Sequence, residues 1–238
     1  MSLRKYIPNT ITSMNALSGT MGVVFSLQGR PDIAFICMLA AAVFDFCDGL
    51  AARLLNAYSD MGKELDSLSD MVSFGVLPSV ILYETMLLGG NQKALCFIPL
   101  ILAVFSALRL AKFNVDTRQR TDFIGVATPT AALICGSLGH AVYNGSFTFI
   151  GTSPWIIPVL AVVLSLLLVC EIPMFGMKVA PGHKLLDGKR IVFLVLAAIT
   201  VIAVIAMHLE WSIAVLVIFT VYILENLVLS LIVKRVPE

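Results

Sequence analysis

An all-α, polytopic integral membrane bundle of about eight transmembrane helices, both termini cytoplasmic, is the fold class that the sequence predicts. Three observations predict it. Of the 238 residues, 59% are hydrophobic and 13% are charged, where a soluble domain carries about a quarter charged residues. Apolar stretches recur at the roughly 20-residue length that a helix needs to cross a bilayer core of about 30 Å. The basic residues fall almost entirely on one side of the layout that those stretches define. The net charge of +1 gives no ground for a nucleic-acid partner.

The spans are read near residues 8–28, 33–55, 64–88, 94–113, 126–145, 154–176, 190–208 and 211–233. The first follows the basic start MSLRKYIPNT. Asn15 and Ser18 interrupt its apolar run and no small-residue cleavage site follows, so it is expected to be retained. The second and third are weaker because they carry charges, whereas the last four are strongly apolar. An even count puts both termini on one side with Arg4, Lys5, Arg53, Lys63, Arg109, Lys112, Arg118, Arg120, Lys178, Lys184, Lys189, Arg190, Lys234 and Arg235. It leaves Arg30 and Lys93 on the other. Fourteen against two places the basic side in the cytoplasm. The outer loops are too short for a second domain, so residues 1–238 are read as one transmembrane domain. Cys37, Cys47, Cys96, Cys135 and Cys170 stand singly in apolar segments and are read as buried thiols.

One stretch departs from this pattern: DFCDGLAARLLNAYSDMGKELDSLSD, residues 45–70. At about 100° per helical residue, Asp45 and Asp48 lie about 60° apart on one helix face, and Asp66 and Asp70 about 40° apart on another. A turn over 56–62 would set the two helices antiparallel and bring the four carboxylates together near their cytoplasmic ends. Asp60, Lys63 and Glu64 read as a solvated connection. Asp45 and Asp48 do not, since they sit about two turns inside a span, where acidic residues are costly and usually functional. Carboxylates this close repel strongly at low dielectric and need cations. Lys63 and Arg53 could offset two charges, but their long side chains cannot fill the centre of the cluster. Hard divalent ions such as Mg²⁺, Mn²⁺ or Ca²⁺ suit all-oxygen ligation. His140, His183 and His208 lie in other segments and read as interfacial or packing residues. Gly49, Ala51 and Ala52 thin one helix face, either for close packing or to leave room for a ligand. Gly62 supplies either a backbone amide near a phosphate or a permissive φ.

The spacing DxxDGxxARx8Gx3Dx3D, met at Asp45, Asp48, Gly49, Ala52, Arg53, Gly62, Asp66 and Asp70, resembles the signature of the CDP-alcohol phosphotransferases. IPNTITSMN (7–15), SFGVLPS (73–79), RLAKFNV (109–115) and FIGVATPTAA (123–132) are similar to segments of the integral-membrane phosphatidylserine synthase branch. In the last, Val126-Ala127-Thr128 replaces the usual Leu-Pro portion. The resemblance covers roughly residues 7–135, which it marks as the catalytic part, with 136–238 as additional membrane helices.

The resemblance implies two divalent cations, Mg²⁺ or Mn²⁺, with Ca²⁺ as a further candidate, ligated by Asp45, Asp48, Asp66 and Asp70. Asp70 would double as the general base. Asn9, Thr12, Gly49, Arg53 and Gly62 would bind the CDP-lipid, a CDP-diacylglycerol or an ether analogue. It implies L-serine as acceptor, phosphatidylserine and CMP as products, and a homodimer among membrane lipids. The active site would lie on the cytoplasmic face of the plasma membrane. Arg109, Arg118 and Asn114 are candidates for holding serine, against a reading of the basic residues as headgroup anchors. Two rival readings stand beside this one. The same chemistry could use glycerol 3-phosphate or inositol phosphate as acceptor. A cation transporter would also place carboxylates in a membrane, although its site is expected near the midplane between repeated halves.

Overall fold

The computed structural model describes residues 6–115, 123–174 and 188–233. It is helical almost throughout. The helices are α1 (Tyr6–Leu27), α2 (Pro31–Leu54), α3 (Asp60–Asp70), α4 (Leu77–Leu88), α5 (Lys93–Cys96), α6 (Ile101–Val115), α7 (Thr128–Tyr143), α8 (Thr148–Thr152), α9 (Ile156–Val169), α10 (Gly188–Ala206) and α11 (Trp211–Val233). A helix lies at each of the eight stretches expected to span. Four helical rods are long and apolar enough to cross a membrane: Pro31–Leu54, Asp60–Leu88, Lys93–Val115 and Trp211–Ser230. Ile156–Val169 and Arg190–Ala206 are shorter apolar helices. Arg4, Lys5, Arg118, Arg120, Lys178, Lys184, Lys234 and Arg235 lie outside the described residues, as do His183 and the side chain of Lys189.

α1 is inverted relative to a helix of a soluble bundle. The buried face of α1 is Pro8, Thr12, Asn15, Gly19, Gly22 and Ser26, a stripe at helical spacing with no large apolar side chain in it. Its large apolar residues Leu17, Met21 and Val24 face outward instead. On α2, Val43 is 60% and Phe46 is 71% exposed. Such a surface suits lipid, because chain packing there relies on small and polar side chains rather than on expelling water.

That small-residue stripe positions the functional region. α1 packs along α2 and also against α3 and the segment after it. At Gly19 an added Cβ would run into Ser73, and at Gly22 it would meet Leu77. Ser69 Oγ donates to the Thr12 carbonyl at 3.2 Å and Ser73 Oγ to the Asn15 carbonyl at 3.1 Å. α1 therefore seats on the third rod through two serines one helical turn apart.

The third rod is not a uniform α-helix. Met71–Val76 forms a π-helical segment between α3 and α4, and the Leu77 N–H bonds to the Val72 carbonyl five residues back. Pro78 has no N–H to return to the carbonyl four residues before it, so the regular ladder has to be broken near this point. The widened turn accommodates the break. Beyond it, α4 is buried on nearly every side, and it packs on α7, whose Thr128 and Ala131–Ala141 positions are largely buried too. These two helices form the centre of the bundle.

α6 and α9 pack together on one flank, and α11 covers α7 on another. α10 lies outermost, packed mainly on α11, with only Phe193 and Val204 buried among its described side chains. The start of α7 is stapled to the end of α9. Phe123–Ile124 pairs antiparallel with Pro173–Met174, and Gly125 (φ +77) passes so close to the carbonyls of Leu168 and Cys170 that no side chain fits. All five cysteines are free thiols.

Gly19→Ala should destabilise the protein by about 1–3 kcal/mol, the usual cost of overpacking. Thermal unfolding in detergent measures this, and an unchanged melting temperature would show that α1 does not seat this closely on Ser73.

Candidate active site

The four aspartates come from two rods, α2 and the rod that begins with α3. α2 packs on the far part of that rod, where Phe35, Met38 and Ala41 meet Phe74, Leu77 and Ile81, while α1 lies against both α2 and α3. The connection is shorter than expected, at residues 55–59, with Asn56 in the left-handed region (φ 47). The side chain of Ser59 then caps α3, accepting from the Gly62 N–H at 3.0 Å. The helical period aims Asp45 and Asp48 from α2, and Asp66 and Asp70 from α3, toward one another beside α1.

One carboxylate oxygen from each of Asp45, Asp48 and Asp66 lies within 4.8 Å of the others. Asp45 is within hydrogen-bonding reach of both Asp66 and Asp70, and Asp48 is within reach of the Thr12 hydroxyl. Asp70 is held by Asn15, whose Nδ2 donates to its Oδ1 at 3.3 Å. Asp48 Oδ2 and Asp66 Oδ1 are buried without a hydrogen-bond partner. At an effective dielectric of about 20, two unit charges 4–5 Å apart repel by roughly 3–4 kcal/mol. Neither basic group of the motif enters the cluster. Lys63 Nζ donates to the Asn114 carbonyl at 3.2 Å, and Arg53 is exposed. Three clustered carboxylates with two orphaned buried oxygens fit a hard divalent cation held by oxygen ligands. Asp45, Asp48 and Asp66 are the residues that could hold it, with Asp70 adjoining. Asp60, Lys63 and Glu64 are exposed, as a solvated connection should be.

Beside the cluster is an open cavity of about 210 Å³. α1 lines it with Pro8, Asn9 and Thr12, α2 with Asp48, Gly49 and Ala52, and the turn and α3 with Ala57, Tyr58, Ser59, Gly62, Lys63 and Asp66. Four of the five residues expected at a CDP-lipid site are therefore here: Asn9, Thr12, Gly49 and Gly62. Arg53 does not line the cavity, because its position one residue past Ala52 turns it outward to solvent.

The two glycines differ in kind. A Cβ on Gly49 would meet nothing within 4 Å, so this glycine is not there for helix packing; it leaves the cavity wall open. A Cβ on Gly62 would press on Ser59 Oγ at 3.0 Å and Asn9 Oδ1 at 3.1 Å. Gly62 lies in the first turn of α3 rather than in the loop, and its N–H is already taken by Ser59, so it is not a free amide for phosphate.

The acceptor candidates lie on α6. Arg109 is buried at 8% exposure, its Nη1 donates to Thr128 Oγ1 at 3.2 Å, and it sits over the Phe113 ring at 5.1 Å. Its charge acts on Asp70. Asn114 Nδ2 donates to Ser67 Oγ at 2.9 Å, which ties α6 to the helix carrying Asp66 and Asp70. Arg118 lies outside the described residues. His140 is a packing residue, as expected: it is edge-on to Phe35 and Trp211, away from the aspartates.

Sequence reasoning gave no site role to Asn15, Tyr58, Ser59 or Thr128, although all four lie in the motif segments. The signal for Asn15 was present, since it continues the stride of Pro8 and Thr12 on one face of α1.

The sequence model of the CDP-alcohol phosphatidyltransferase family matches residues 5–167. The chain belongs to this family. CDP-alcohol phosphatidyltransferases use divalent metals, in keeping with the carboxylate cluster. The chain is 38% identical over 151 residues to a CDP-diacylglycerol–serine O-phosphatidyltransferase of Bacillus subtilis (strain 168), covering 62% of this chain and 82% of that protein. It is 36% identical over 176 residues to the enzyme of the same name from Mycobacterium leprae (strain TN), covering 71% of this chain. That match spans 57% of the mycobacterial protein's length. An archaetidylserine synthase of Methanothermobacter thermautotrophicus is 35% identical over 140 residues, 55% of this chain and 56% of that protein.

Gly49→Ile should fill the cavity without straining α2, leaving stability within about 0.5 kcal/mol. Binding of a CDP-lipid, measured by equilibrium titration, should weaken at least about tenfold, one to three kcal/mol being typical for a blocked apolar subsite. Unchanged binding would mean that the cavity is not where the nucleotide sits.

Proposed function

We propose that the protein transfers the phosphatidyl group of a CDP-linked lipid, CDP-diacylglycerol or an ether analogue, to the hydroxyl of L-serine. The observation that carries the proposal is the cluster of carboxylates from Asp45, Asp48 and Asp66 beside an open cavity, in a chain of this family. The relatives at 35–38% identity, named as serine-utilising synthases, support serine as the acceptor.

Asp70 accepts the proton of the serine hydroxyl as its oxygen attacks the lipid-bound phosphorus. One phosphorus–oxygen bond forms to serine, another breaks, and CMP departs with the released electron pair. Asp45, Asp48, Asp66 and Asp70 would hold two divalent cations, Mg²⁺ or Mn²⁺. When bound, these supply positive charge against the phosphate oxygens. Asn9, Thr12, Gly49 and Gly62 bound the nucleotide, while Arg53 at the rim meets phosphate from the solvent side. Arg109 pairs with the serine carboxylate, with Asn114 and Arg118 nearby. A phosphorylated acceptor would want several free cations. Of the described basic groups near Arg109, Lys112 is paired with Glu171 at 3.2 Å and Lys63 is bound to Asn114, which favours the singly charged carboxylate of serine over glycerol 3-phosphate or inositol phosphate. A transporter has no comparable support, because the acids adjoin a cavity at the helix ends rather than a path through the bundle.

In this reading all eight helical stretches cross the membrane, and the fourteen-to-two distribution of basic residues sets both termini and the active site on the cytoplasmic side of the plasma membrane. Residues 7–135 carry the catalysis, residues 136–238 add membrane helices, and the protein works as a homodimer.

Purified protein with CDP-diacylglycerol and Mn²⁺ should release CMP only when L-serine is added. Turnover with glycerol 3-phosphate and none with serine would sink the assignment of acceptor. Asp70→Asn should lower kcat by about 10²–10⁴-fold, the usual worth of a general base, while CDP-lipid still binds. Asp66→Asn should weaken Mn²⁺ binding, followed by titration calorimetry, at least about tenfold; full retention of affinity would remove Asp66 from the ligand set.

A further inference from the structure

Asn15 is completely buried in the middle of α1, facing inward among small residues. An amide in that place has two halves to satisfy. Its Nδ2 donates to Asp70 Oδ1 at 3.3 Å. Its Oδ1 has no partner. A buried acceptor left unpaired costs free energy that a leucine of similar size would not incur, so the stability of the fold does not explain an asparagine here. The bond to Asp70 does.

We propose that Asn15 is a positioning residue for Asp70. The proposal rests on the transferase reading above and deepens it. Asp70 is subject to two competing partners: the Asn15 amide from α1 and the charge of Arg109 from α6. It also adjoins Asp45, whose carboxylate is within hydrogen-bonding reach. Without the amide, the carboxylate is free to turn toward the guanidinium and away from the acceptor hydroxyl. With it, one oxygen is fixed and the other keeps a set direction. The donor is itself anchored, because Ser73 Oγ holds the Asn15 carbonyl at 3.1 Å and Gly19 allows α1 to come close enough for that contact. Asn15 touches no substrate in this scheme. It acts through Asp70.

The test uses the full-length protein in detergent with CDP-diacylglycerol, Mn²⁺ and L-serine. Asn15→Leu should change the melting temperature little, since it deletes an unpaired buried acceptor and also the donor to Asp70 Oδ1. It should lower kcat about 10- to 100-fold, the scale of a misplaced catalytic group, with the KM for CDP-diacylglycerol within about twofold of the parent. Ser73→Ala, which frees the Asn15 backbone but leaves the amide in place, should lower kcat by less than Asn15→Leu does. Should Asn15→Leu fail to fold, Asn15→Ala, which only removes atoms, is expected to give the same split between kcat and KM. An undiminished kcat in a variant that folds, or a loss that falls equally on kcat and on the KM for CDP-diacylglycerol, would overturn the role of Asn15 while leaving the transferase reading intact. A parent protein that releases no CMP with any alcohol would overturn both.

Discussion

Carboxylates held within 4.8 Å of one another repel, and the rest of this fold is arranged around keeping them there. Two helices cannot do it alone, since their backbones would be pushed apart by the charges they carry. The third participant is α1, which lies along α2 and is fastened to the other rod by the hydroxyls of Ser69 and Ser73. The fastening is made of small side chains and backbone carbonyls, the materials that still hold helices together where lipid removes the advantage of burying apolar surface. The orphaned oxygens of Asp48 and Asp66 are what remains of this arrangement when no cation is counted.

The same junction frames the cavity. α1 packs on both α2 and α3 and contributes Asn9 and Thr12 to the wall. Gly49 then deepens the opening from the α2 side. Carboxylate cluster and cavity thus meet at one three-helix junction. α6 is joined to the start of α7 and to α3 by the Arg109–Thr128 and Asn114–Ser67 bonds.

Much of this was legible in the sequence, and the reason is periodicity. Aspartates at i, i+3 and i, i+4 must share helix faces, and apolar stretches of fixed length must be helices in a bilayer. Neither the inverted face of α1 nor its place against both α2 and α3 could be read that way, because helix neighbours in a bundle are set by contacts far apart in the chain. The two motif glycines looked equivalent in sequence, yet one leaves open space and the other sits beneath a capping serine. The motif groups Arg53 with the cavity residues, yet one further step around α2 turns it from the cavity wall toward solvent. The widened turn after Asp70 had only Pro78 as its signal.

That turn has a mechanical meaning. A helix that gains a residue in one loop of its ladder resumes with its faces rotated by the angle of one residue, about 100°. The half of the rod that bears Asp66 and Asp70 is thereby out of phase with the half that packs on α7. Each half can satisfy its own neighbours, chemistry below and packing above, without the two demands having to fall on a single stripe.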